Sequence, residues 1–336
     1  MKLLVVIVNF RVPGLLIDCL GSVENEIASV SGTQVAVCEN GSGDDSAALL
    51  REAIAQRGWS SWCTLTVLDS NLGFTGGNNV LIRPALASAD PPDYVLLLNP
   101  DTVVHPGAFR ALVDFMERHP QVGIAGSRLE DPDGTPQRSA FRFQSPLGAL
   151  ESSLRLGLVS GLLKRWIVAP PVVEHAFQTD WIPGASMIVR RQVFSDVGLL
   201  DEGFFTYYDD IDFCLNARKK GWPTWYVPES RVVHLVGKSS GIDRTPRRIP
   251  AYVLEARRRY FLKNHGPLYA AAVDACNLLG LALWRLRVGL TGKVDDGPPN
   301  LFRDSLRHSV FVSGFRKLDV KGPTGSSSRP DHKRAR

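Results

Sequence analysis

The chain has 336 residues, of which 44% are hydrophobic and 22% are charged, a composition that supports a sizeable core and excludes an intrinsically disordered protein. Its five cysteines are odd in number and widely spaced without a Cys-X-X-Cys pair, which favours reduced thiols in a cytoplasmic protein over a disulfide framework or a zinc site. The net charge of +5 is modest, and we expect no nucleic-acid partner.

The first 126 residues alternate short apolar runs with amphipathic stretches. The runs predict strands over Leu3–Asn9, Gln34–Glu39, Thr64–Asp69, Tyr94–Leu98 and Val122–Ala125. The stretches between them predict helices over Pro13–Ile27, Asp45–Gln56, Asn79–Ala89 and Pro106–Arg118. Strands without polar alternation are typically buried on both faces, so we expect an α/β fold with a Rossmann-like, mostly parallel sheet flanked by helices.

The first apolar run also bears on location. It is too short for the apolar core of a signal peptide, and the polar residues Asn9 and Arg11 follow at once. We therefore interpret it as a buried strand and expect a cytoplasmic protein.

Polar residues follow four of the predicted strands at the point where each ends. They are Asn9, Glu39 with Asn40, Asn71, and Asn99-Pro100-Asp101. Any one of them is explained as a turn former, because Asn, Asp and Gly all favour turns. Ligands of such sheets bind at the carboxyl ends of the strands, so four polar ends on one rim predict a binding site there.

Two of these segments have the chemistry of a nucleotide site. Glu39 can accept hydrogen bonds from a nucleobase or a ribose. The segment 71–79, Asn-Leu-Gly-Phe-Thr-Gly-Gly-Asn-Asn, is either a flexible loop or a glycine-rich backbone that presents N–H groups to a diphosphate. The predicted nucleotide-binding residues are Asn9, Glu39, Asn40, Asn71, Gly73, Gly76, Asn78 and Asn99.

A carboxylate just past a central strand suits a hard cation such as Mg²⁺ or Mn²⁺, and Asp101 occupies that position. Asn99 stands where a second acid would lie, so another protein ligand is needed. His234, which follows two valines, is either a core histidine or the missing ligand, because imidazole suits Mn²⁺. We predict a divalent metal held by Asp101 and His234.

Three acids open a predicted helix in the segment Phe204–Cys214. The helix dipole explains acids at such a position, but apolar residues on both sides predict the wall of a cleft, which is the setting of a general base. Asp209 and Asp212 are three residues apart and share a helix face, whereas Asp210 projects separately. This spacing predicts separate roles.

The remaining segments are peripheral to this chemistry. Residues 127–178 are predicted to leave the sheet, with a hairpin turn at 131–134. Basic residues crowd 244–263 and are either a solvated helix face or an attraction for phosphates. Residues 244–313 are predicted to be a helical appendage, in which Leu268–Trp284 either lies on the inner face of the cell membrane or packs on the domain. The tail, 314–336, is predicted to be disordered and basic.

Taken together, these segments resemble the family-two glycosyltransferases, in particular the bacterial branch similar to rhamnosyltransferases and galactofuranosyltransferases of cell-surface polysaccharide synthesis. The resemblance runs from Val5-Val-Ile-Val-Asn-Phe, through the segment 71–79, Asn99-Pro-Asp, Trp181-Ile-Pro-Gly-Ala and Tyr208-Asp-Asp-Ile-Asp-Phe-Cys, to His234. It implies a GT-A fold over residues 1–243, with a nucleotide-binding half (1–126) and an acceptor and catalytic half (127–243).

The resemblance also implies roles for single residues. Glu39 matches the acid that contacts the base, Asp101 the last acid of the metal motif, and His234 the histidine that joins the metal in some relatives. Asp210 matches the general base. Trp181 and Gly184, with Asp209 and Asp212, fall on the acceptor side. The sequence departs from the usual pattern in having Glu39 for Asp, Asn99 for an acid and Asp209 for Glu.

The implied function is inverting transfer of a sugar, with rhamnose favoured, from a nucleotide-diphosphate donor to an acceptor hydroxyl. dTDP-rhamnose is the favoured donor and UDP-sugars come next, while the acceptor is a glycan or a lipid-linked sugar. One alternative is a non-catalytic sugar-nucleotide-binding subunit of a synthase complex. A second is a nucleotidyltransferase, although the segment after the first strand has one arginine and one glycine where that class is rich in both.

Overall fold

The computed structural model describes residues 2–235, 248–292, 295, 297–316, 319–320 and 322. Positions 236–247, which include Arg244 and Arg247 of the basic cluster, lie outside the described residues, as does most of the predicted tail. The described residues contain a nine-stranded sheet with helices on both faces.

The first half of the chain follows the predicted alternation. Its elements are β1 (Leu3–Asn9), α1 (Pro13–Ile27), β2 (Gln34–Glu39), α2 (Ser46–Gln56), β3 (Cys63–Val67), α3 (Gly73–Leu86), β4 (Tyr94–Leu98), β5 (Thr102–Val104) and α4 (Ala108–Arg118). The predicted bounds of β1, α1, β2 and β4 are confirmed residue for residue. The prediction for α3 was wrong at its start, because this helix begins at Gly73 and not at Asn79.

The second half supplies the remaining strands. Its elements are β6 (Ile124–Glu130), α5 (Pro146–Leu154), α6 (Gly157–Leu162), β7 (Phe177–Thr179), β8 (Ser186–Arg190), α7 (Arg191–Val197), α8 (Asp209–Lys219) and β9 (Thr224–His234). The C-terminal helices are α9 (Ala251–Asn264), α10 (Gly266–Thr291), α11 (Leu301–Arg307) and α12 (Val310–Ser313).

The strand order is β3-β2-β1-β4-β8-β6-β9-β5, and β7 also pairs with β9. The pairs among β3, β2, β1 and β4 are parallel, as expected, but β8 is antiparallel to both β4 and β6. Because β8 is antiparallel to β4, its start lies where β4 ends, with Ser186 opposite Leu98. The start of β8 therefore joins the rim formed by the carboxyl ends of β1 to β4.

The sheet is buried by apolar side chains on both faces. On one face α1 and α4 contribute Leu16, Leu20, Phe109, Leu112 and Met116, and on the other α3 and α8 contribute Leu81, Ile82, Phe213 and Cys214. Burying a side chain of this size contributes about 1.5–3 kcal/mol. This double-sided burial explains why the first strands are almost continuously apolar.

The C-terminal helices share a core with residues 204–215. Phe204 and Ile211 pack in one buried cluster with Tyr260 and Phe261 of α9 and Val273 of α10. The predicted boundary at residue 243 therefore does not separate two independent cores.

The described members of the basic cluster hold this core together. Their partners are Asp304 for Arg248, Asp274 for Arg257, the Ser313 carbonyl for Arg258, Asp201 for Arg259, and Asp201 with Asp212 for Lys263. These partners belong to the protein, which favours a structural role for these residues over the attraction to phosphates that the sequence left open.

Candidate active site

A cavity of about 360 Å³ opens at the carboxyl ends of the parallel strands, where the sequence predicted a site. Nine of the predicted site residues line it: Asn40, Asn71, Gly73, Asn99, Asp101, Gly184, Asp209, Asp210 and His234. Residues from β2, β4, the start of β8, α8 and β9 thus meet in one cavity.

The loop before α3 is held in place by the side chain of Asn40. The Asn40 amide nitrogen donates to the Asn71 side-chain oxygen at 3.0 Å and to the Gly73 carbonyl at 2.9 Å, and its oxygen accepts from Leu72 N–H at 3.0 Å. Gly73 has φ +76°, and a Cβ there would lie 2.2 Å from the Phe205 carbonyl oxygen. The loop conformation therefore needs glycine at position 73 and asparagine at position 40.

The N–H groups of this loop are already used inside the protein. Leu72 N–H donates to Asn40, Gly73 N–H donates to Asn71, and Phe74 N–H donates to the Phe205 carbonyl at 2.8 Å. These three groups are not free to bind a diphosphate in this conformation. The loop instead forms part of the cavity wall, where it contacts Phe205.

Four predicted nucleotide-binding residues do not line the cavity. Gly76 is inside the first turn of α3, where a Cβ would meet the Leu72 Cβ at 2.6 Å, and Asn78 donates to the Phe74 carbonyl. Glu39 is buried and accepts from Ser42 N–H at 3.0 Å. Asn9 is fully buried, and its side-chain amide finds no hydrogen-bond partner among the described residues.

Asp101 and His234 approach each other as predicted. The short β5–β9 pairing places Thr102 opposite His234, and the Asp101 Oδ1 to His234 Nε2 distance is 3.6 Å. Two ligands that each lie about 2.1 Å from one metal ion are separated by roughly 3 to 4 Å, so this pair fits a shared Mn²⁺ or Mg²⁺.

The protein supplies few further ligands for such an ion. Among the described residues, no group of three or more His, Cys, Asp and Glu side chains is placed to hold a metal. A hard cation that uses two protein ligands usually completes its coordination with water and substrate phosphate oxygens. The Asn99 amide nitrogen lies 3.4 Å from His234 Nε2 and borders the same position.

Asp210 lines the cavity from the first turn of α8. Its carboxylate accepts hydrogen bonds from Ile211 N–H, at 2.8 Å, and from Gly184 N–H. Burial raises the pKa of Asp210 to about 6, although these two amides oppose the shift. Burial and the neighbouring charge of Asp210 raise the pKa of Asp209 well above its usual value. Both carboxyl groups therefore hold a proton more tightly than an exposed aspartate does.

Residues 2–261 match the family model described as glycosyltransferase like family 2, which is well over half of the chain. The chain belongs to this family. The segments that carry the resemblance also meet in the structure: the acid that follows β4 and the first two acids of α8 line the same cavity.

Two named relatives of this family-2 chain are rhamnosyltransferases. The N-acetylglucosaminyl-diphospho-decaprenol L-rhamnosyltransferase of Mycobacterium tuberculosis is 30% identical over 188 residues, which cover 52% of this chain and 59% of that protein. The rhamnosyltransferase WbbL of Escherichia coli is 27% identical over 165 residues, which cover 48% of this chain and 60% of that protein. Each match therefore spans less than two thirds of the relative.

Solved structures of low sequence identity share the fold. The mannosyltransferase PcManGT from Pyrobaculum calidifontis, in complex with GDP-Man and Mn²⁺, has a TM-score of 0.55 at 13% identity and covers 94% of this chain and 84% of that one. GalNAc-T7 with UDP, GalNAc and Mn²⁺ has a TM-score of 0.58 at 13% identity and covers 92% and 54%. The expected GT-A-type fold is confirmed.

Two predicted acceptor-side residues of the family-2 chain lie outside the cavity. Trp181 stacks on Phe141, with ring centroids 4.4 Å apart, and its indole N–H donates to the Arg142 carbonyl. Asp212 is buried against α9, where it contacts Lys263 and Asn264 at 2.6 Å each. Trp181 and Asp212 are thus held by structural partners. Asp209 lines the cavity and Asp212 does not, although the sequence placed both on one helix face.

Aromatic residues of the cavity wall were not singled out from the sequence. They are Phe10, Phe74, Phe205, Tyr207 and Tyr252. The run of aromatics at 204–208, directly before the acids, was the available signal for two of them. Tyr252 belongs to α9, beyond the predicted catalytic domain, and no local pattern marks it.

We expect Asn40→Ala to lower the free energy of unfolding by about 1–3 kcal/mol, because it leaves buried polar groups of the 71–73 loop without partners. Chemical denaturation with urea measures this change. Asn25→Ala is the matched control: Asn25 is exposed and makes one weak hydrogen bond to Gly21, so the expected change is within about 0.5 kcal/mol. Equal small effects of the two substitutions would contradict the role given to Asn40.

Proposed function

We propose that the chain is an inverting glycosyltransferase that moves a sugar from a nucleotide-diphosphate donor to an acceptor hydroxyl. The observation that carries the proposal is the position of Asp210 in the same cavity as the Asp101 and His234 pair. A base and a site for the leaving diphosphate are the two requirements of a single displacement.

In the proposed step, the acceptor oxygen attacks the anomeric carbon from the face opposite the diphosphate. The new C–O bond forms as the bond from the anomeric carbon to the diphosphate oxygen breaks, and the acceptor proton passes to the Asp210 carboxylate. Asp101 and His234 would hold Mn²⁺ or Mg²⁺, which when bound neutralises charge on the departing diphosphate. The reaction needs no nucleophile from the protein.

The donor and the acceptor are proposed from the relatives. Two relatives are named as rhamnosyltransferases and another as a dTDP-rhamnosyl transferase, which favours dTDP-rhamnose as the donor, with UDP-sugars next. The mycobacterial relative is named for an N-acetylglucosaminyl diphosphate on decaprenol, which favours a lipid-linked sugar diphosphate as the acceptor and a role in cell-surface polysaccharide synthesis.

A panel of nucleotide sugars tests the proposal. The protein is incubated with dTDP-rhamnose, UDP-sugars or GDP-sugars and Mn²⁺, with and without an N-acetylglucosaminyl diphosphate on a short alkyl chain. We expect transfer from one donor and slow hydrolysis of that donor without the acceptor. Donor binding without any turnover would favour the non-catalytic subunit instead, and conversion of a sugar phosphate to a nucleotide sugar would favour a nucleotidyltransferase.

We also propose peripheral attachment to the inner face of the membrane, supported by the surface around α10. Among the described residues, α10 is the one helix that is long and apolar enough to cross a membrane. Only 28% of its most apolar 18-residue stretch is buried inside the protein, so most of this stretch is open to another surface. It has 26 residues, more than the roughly 20 that a spanning helix needs. Asp274 nevertheless ties α10 to Arg257 and to Val310 N–H, which favours a helix that lies on the surface.

Three strongly exposed leucines lie on α6 and α10. Leu158 and Leu162 of α6 are each 82% exposed, and Leu290 near the end of α10 is 78% exposed. Arg155, at the end of α5, stacks over Trp284 of α10 at 5.2 Å and so links α5 to α10. Apolar side chains beside exposed cations are typical of helices that bind anionic lipid surfaces.

We expect flotation with anionic vesicles at low salt, and weaker flotation at high salt, since each cation near the surface contributes about 1 kcal/mol. The double variant Leu158→Glu and Leu162→Glu should float several-fold less. Leu49→Glu on α2, an exposed leucine that is 45% accessible, is the matched control and should float like the wild type. Failure of the wild-type protein to float at low salt would exclude the attachment.

A further inference from the structure

An aromatic corner of the cavity has no role in the chemistry described above. The rings of Tyr207 and Tyr252 are stacked, with centroids 6.1 Å apart and planes inclined by 18°. Phe205 meets Tyr252 edge-on at 6.5 Å. All three side chains line the cavity, and two of them come directly before the acids of α8.

The backbone at this corner is strained. Tyr207 and Tyr208 have φ values of +66° and +63°, in the left-handed region that residues with a Cβ rarely adopt. Such conformations persist where the surrounding structure fixes them, and they occur preferentially at binding and catalytic sites.

Contacts of Tyr208 fix this conformation. Its ring packs on Tyr260, with centroids 5.7 Å apart, and its hydroxyl lies within hydrogen-bond distance of both polar atoms of the Gln144 amide. Because Tyr208 is held in the core, the left-handed backbone at 207–208 places the preceding residue, Tyr207, at the cavity wall.

The corner lies beside the base and is built from different elements than the metal pair. Tyr207 precedes Asp210 by three residues, whereas Asp101 and His234 come from the ends of β4 and β9. In the proposed step the leaving diphosphate lies at the metal ion held by Asp101 and His234. Because the acceptor attacks from the opposite face and passes its proton to Asp210, the acceptor sugar ring approaches from the side of Asp210.

We propose that Tyr207 and Tyr252 form a subsite that binds a pyranose ring of the acceptor by stacking. The C–H groups of one face of a sugar ring carry partial positive charge and complement the negative face of an aromatic ring. A ring bound there would present a hydroxyl to the Asp210 carboxylate. The inference rests on the proposed function and deepens it by assigning the acceptor side of the cavity.

Initial rates with the donor and the acceptor varied separately test the subsite. The acceptor probe is N-acetylglucosaminyl diphosphate on a short alkyl chain, and the donor is the one selected by the nucleotide-sugar panel. We expect Tyr252→Leu, which keeps an apolar side chain but removes the flat ring, to raise the acceptor KM about tenfold. The donor KM should change less than about twofold, and Tyr252→Phe should restore the acceptor KM.

Tyr269→Leu is the control for loss of a tyrosine from the C-terminal helices. Tyr269 stacks on His265 outside the cavity, so its replacement should leave the acceptor KM unchanged. Thermal unfolding of each variant identifies any that fail to fold, and Tyr207→Leu then serves in place of Tyr252→Leu.

The possible outcomes separate the subsite from the function. An unchanged acceptor KM in a variant that still transfers sugar overturns the subsite and leaves the proposed function standing. A raised donor KM with an unchanged acceptor KM also overturns it, because the ring pair would then bind the donor. If the wild-type protein transfers no sugar from any donor, the proposed function and the subsite fall together.

Discussion

Asp210→Asn is expected to lower kcat by about 10²- to 10⁴-fold while donor affinity is retained, because loss of a general base typically has an effect of this size. Asparagine has nearly the same shape as aspartate, so the hydrogen bonds from Ile211 and Gly184 N–H groups to the side-chain oxygen can persist. Calorimetry measures the affinity for the donor nucleotide, and initial rates at saturating acceptor measure kcat.

Asp114→Asn is the matched control for removing one carboxylate. Asp114 lies on the outer face of α4, where it pairs with Arg110, and it is remote from the cavity. Its replacement should leave kcat unchanged. If Asp210→Asn transferred sugar within threefold of the wild-type rate, Asp210 would not be the base.

The pH dependence follows from the same residue. Burial raises the pKa of Asp210 to about 6, and only the ionised carboxylate can accept a proton. As the pH falls through about 6, Asp210 becomes protonated and kcat/KM should fall, approaching a tenfold loss for each further pH unit. The acid limb should be absent from the residual activity of Asp210→Asn, which a profile of both proteins would show.

Asp101→Ala and His234→Ala are each expected to weaken metal-dependent donor binding by at least about tenfold, since even changes outside the direct ligands of a metal often have effects of 10- to 100-fold. The 3.6 Å separation of their ligand atoms motivates this expectation. Titration of the nucleotide diphosphate with and without Mn²⁺ measures it, and a chelator should weaken binding by the wild-type protein to a similar extent.

His105→Ala is the histidine control for this experiment. His105 follows β5 and lies 2.6 Å from Glu130, outside the cavity, so its loss should not affect the metal response. Normal metal-dependent affinity in His234→Ala would identify His234 as a core histidine, which is the alternative that the sequence left open.

The sequence predicted the strands of the first half well, because buried parallel strands are continuous apolar runs with polar ends. It failed at the start of α3, where glycines and asparagines resemble a loop. The helix begins at Gly73 because Asn40, distant in the sequence, fixes the preceding residues, and Phe205 accepts from the first turn. Contacts of this kind have no local pattern.

The position of the cavity was predicted from the strand ends, which the local sequence marks, but the parts of its wall that come from distant segments were missed. Asp101 and Asp210, which line the cavity, were predicted because each acid follows an apolar run. Trp181 and Asp212 were assigned to the acceptor side, but they contact structural partners that only the folded chain supplies. Tyr252 could not be found, because its place in the cavity depends on the packing of α9 against α8.

The anomeric configuration of the transferred sugar tests single displacement at Asp210 most directly. The product formed with Mn²⁺ from a donor of known configuration is isolated, and the one-bond C–H coupling at the anomeric carbon of the transferred sugar is measured by NMR. We predict a configuration opposite to that of the donor. A product that retains the donor configuration would contradict single displacement with Asp210 as the base.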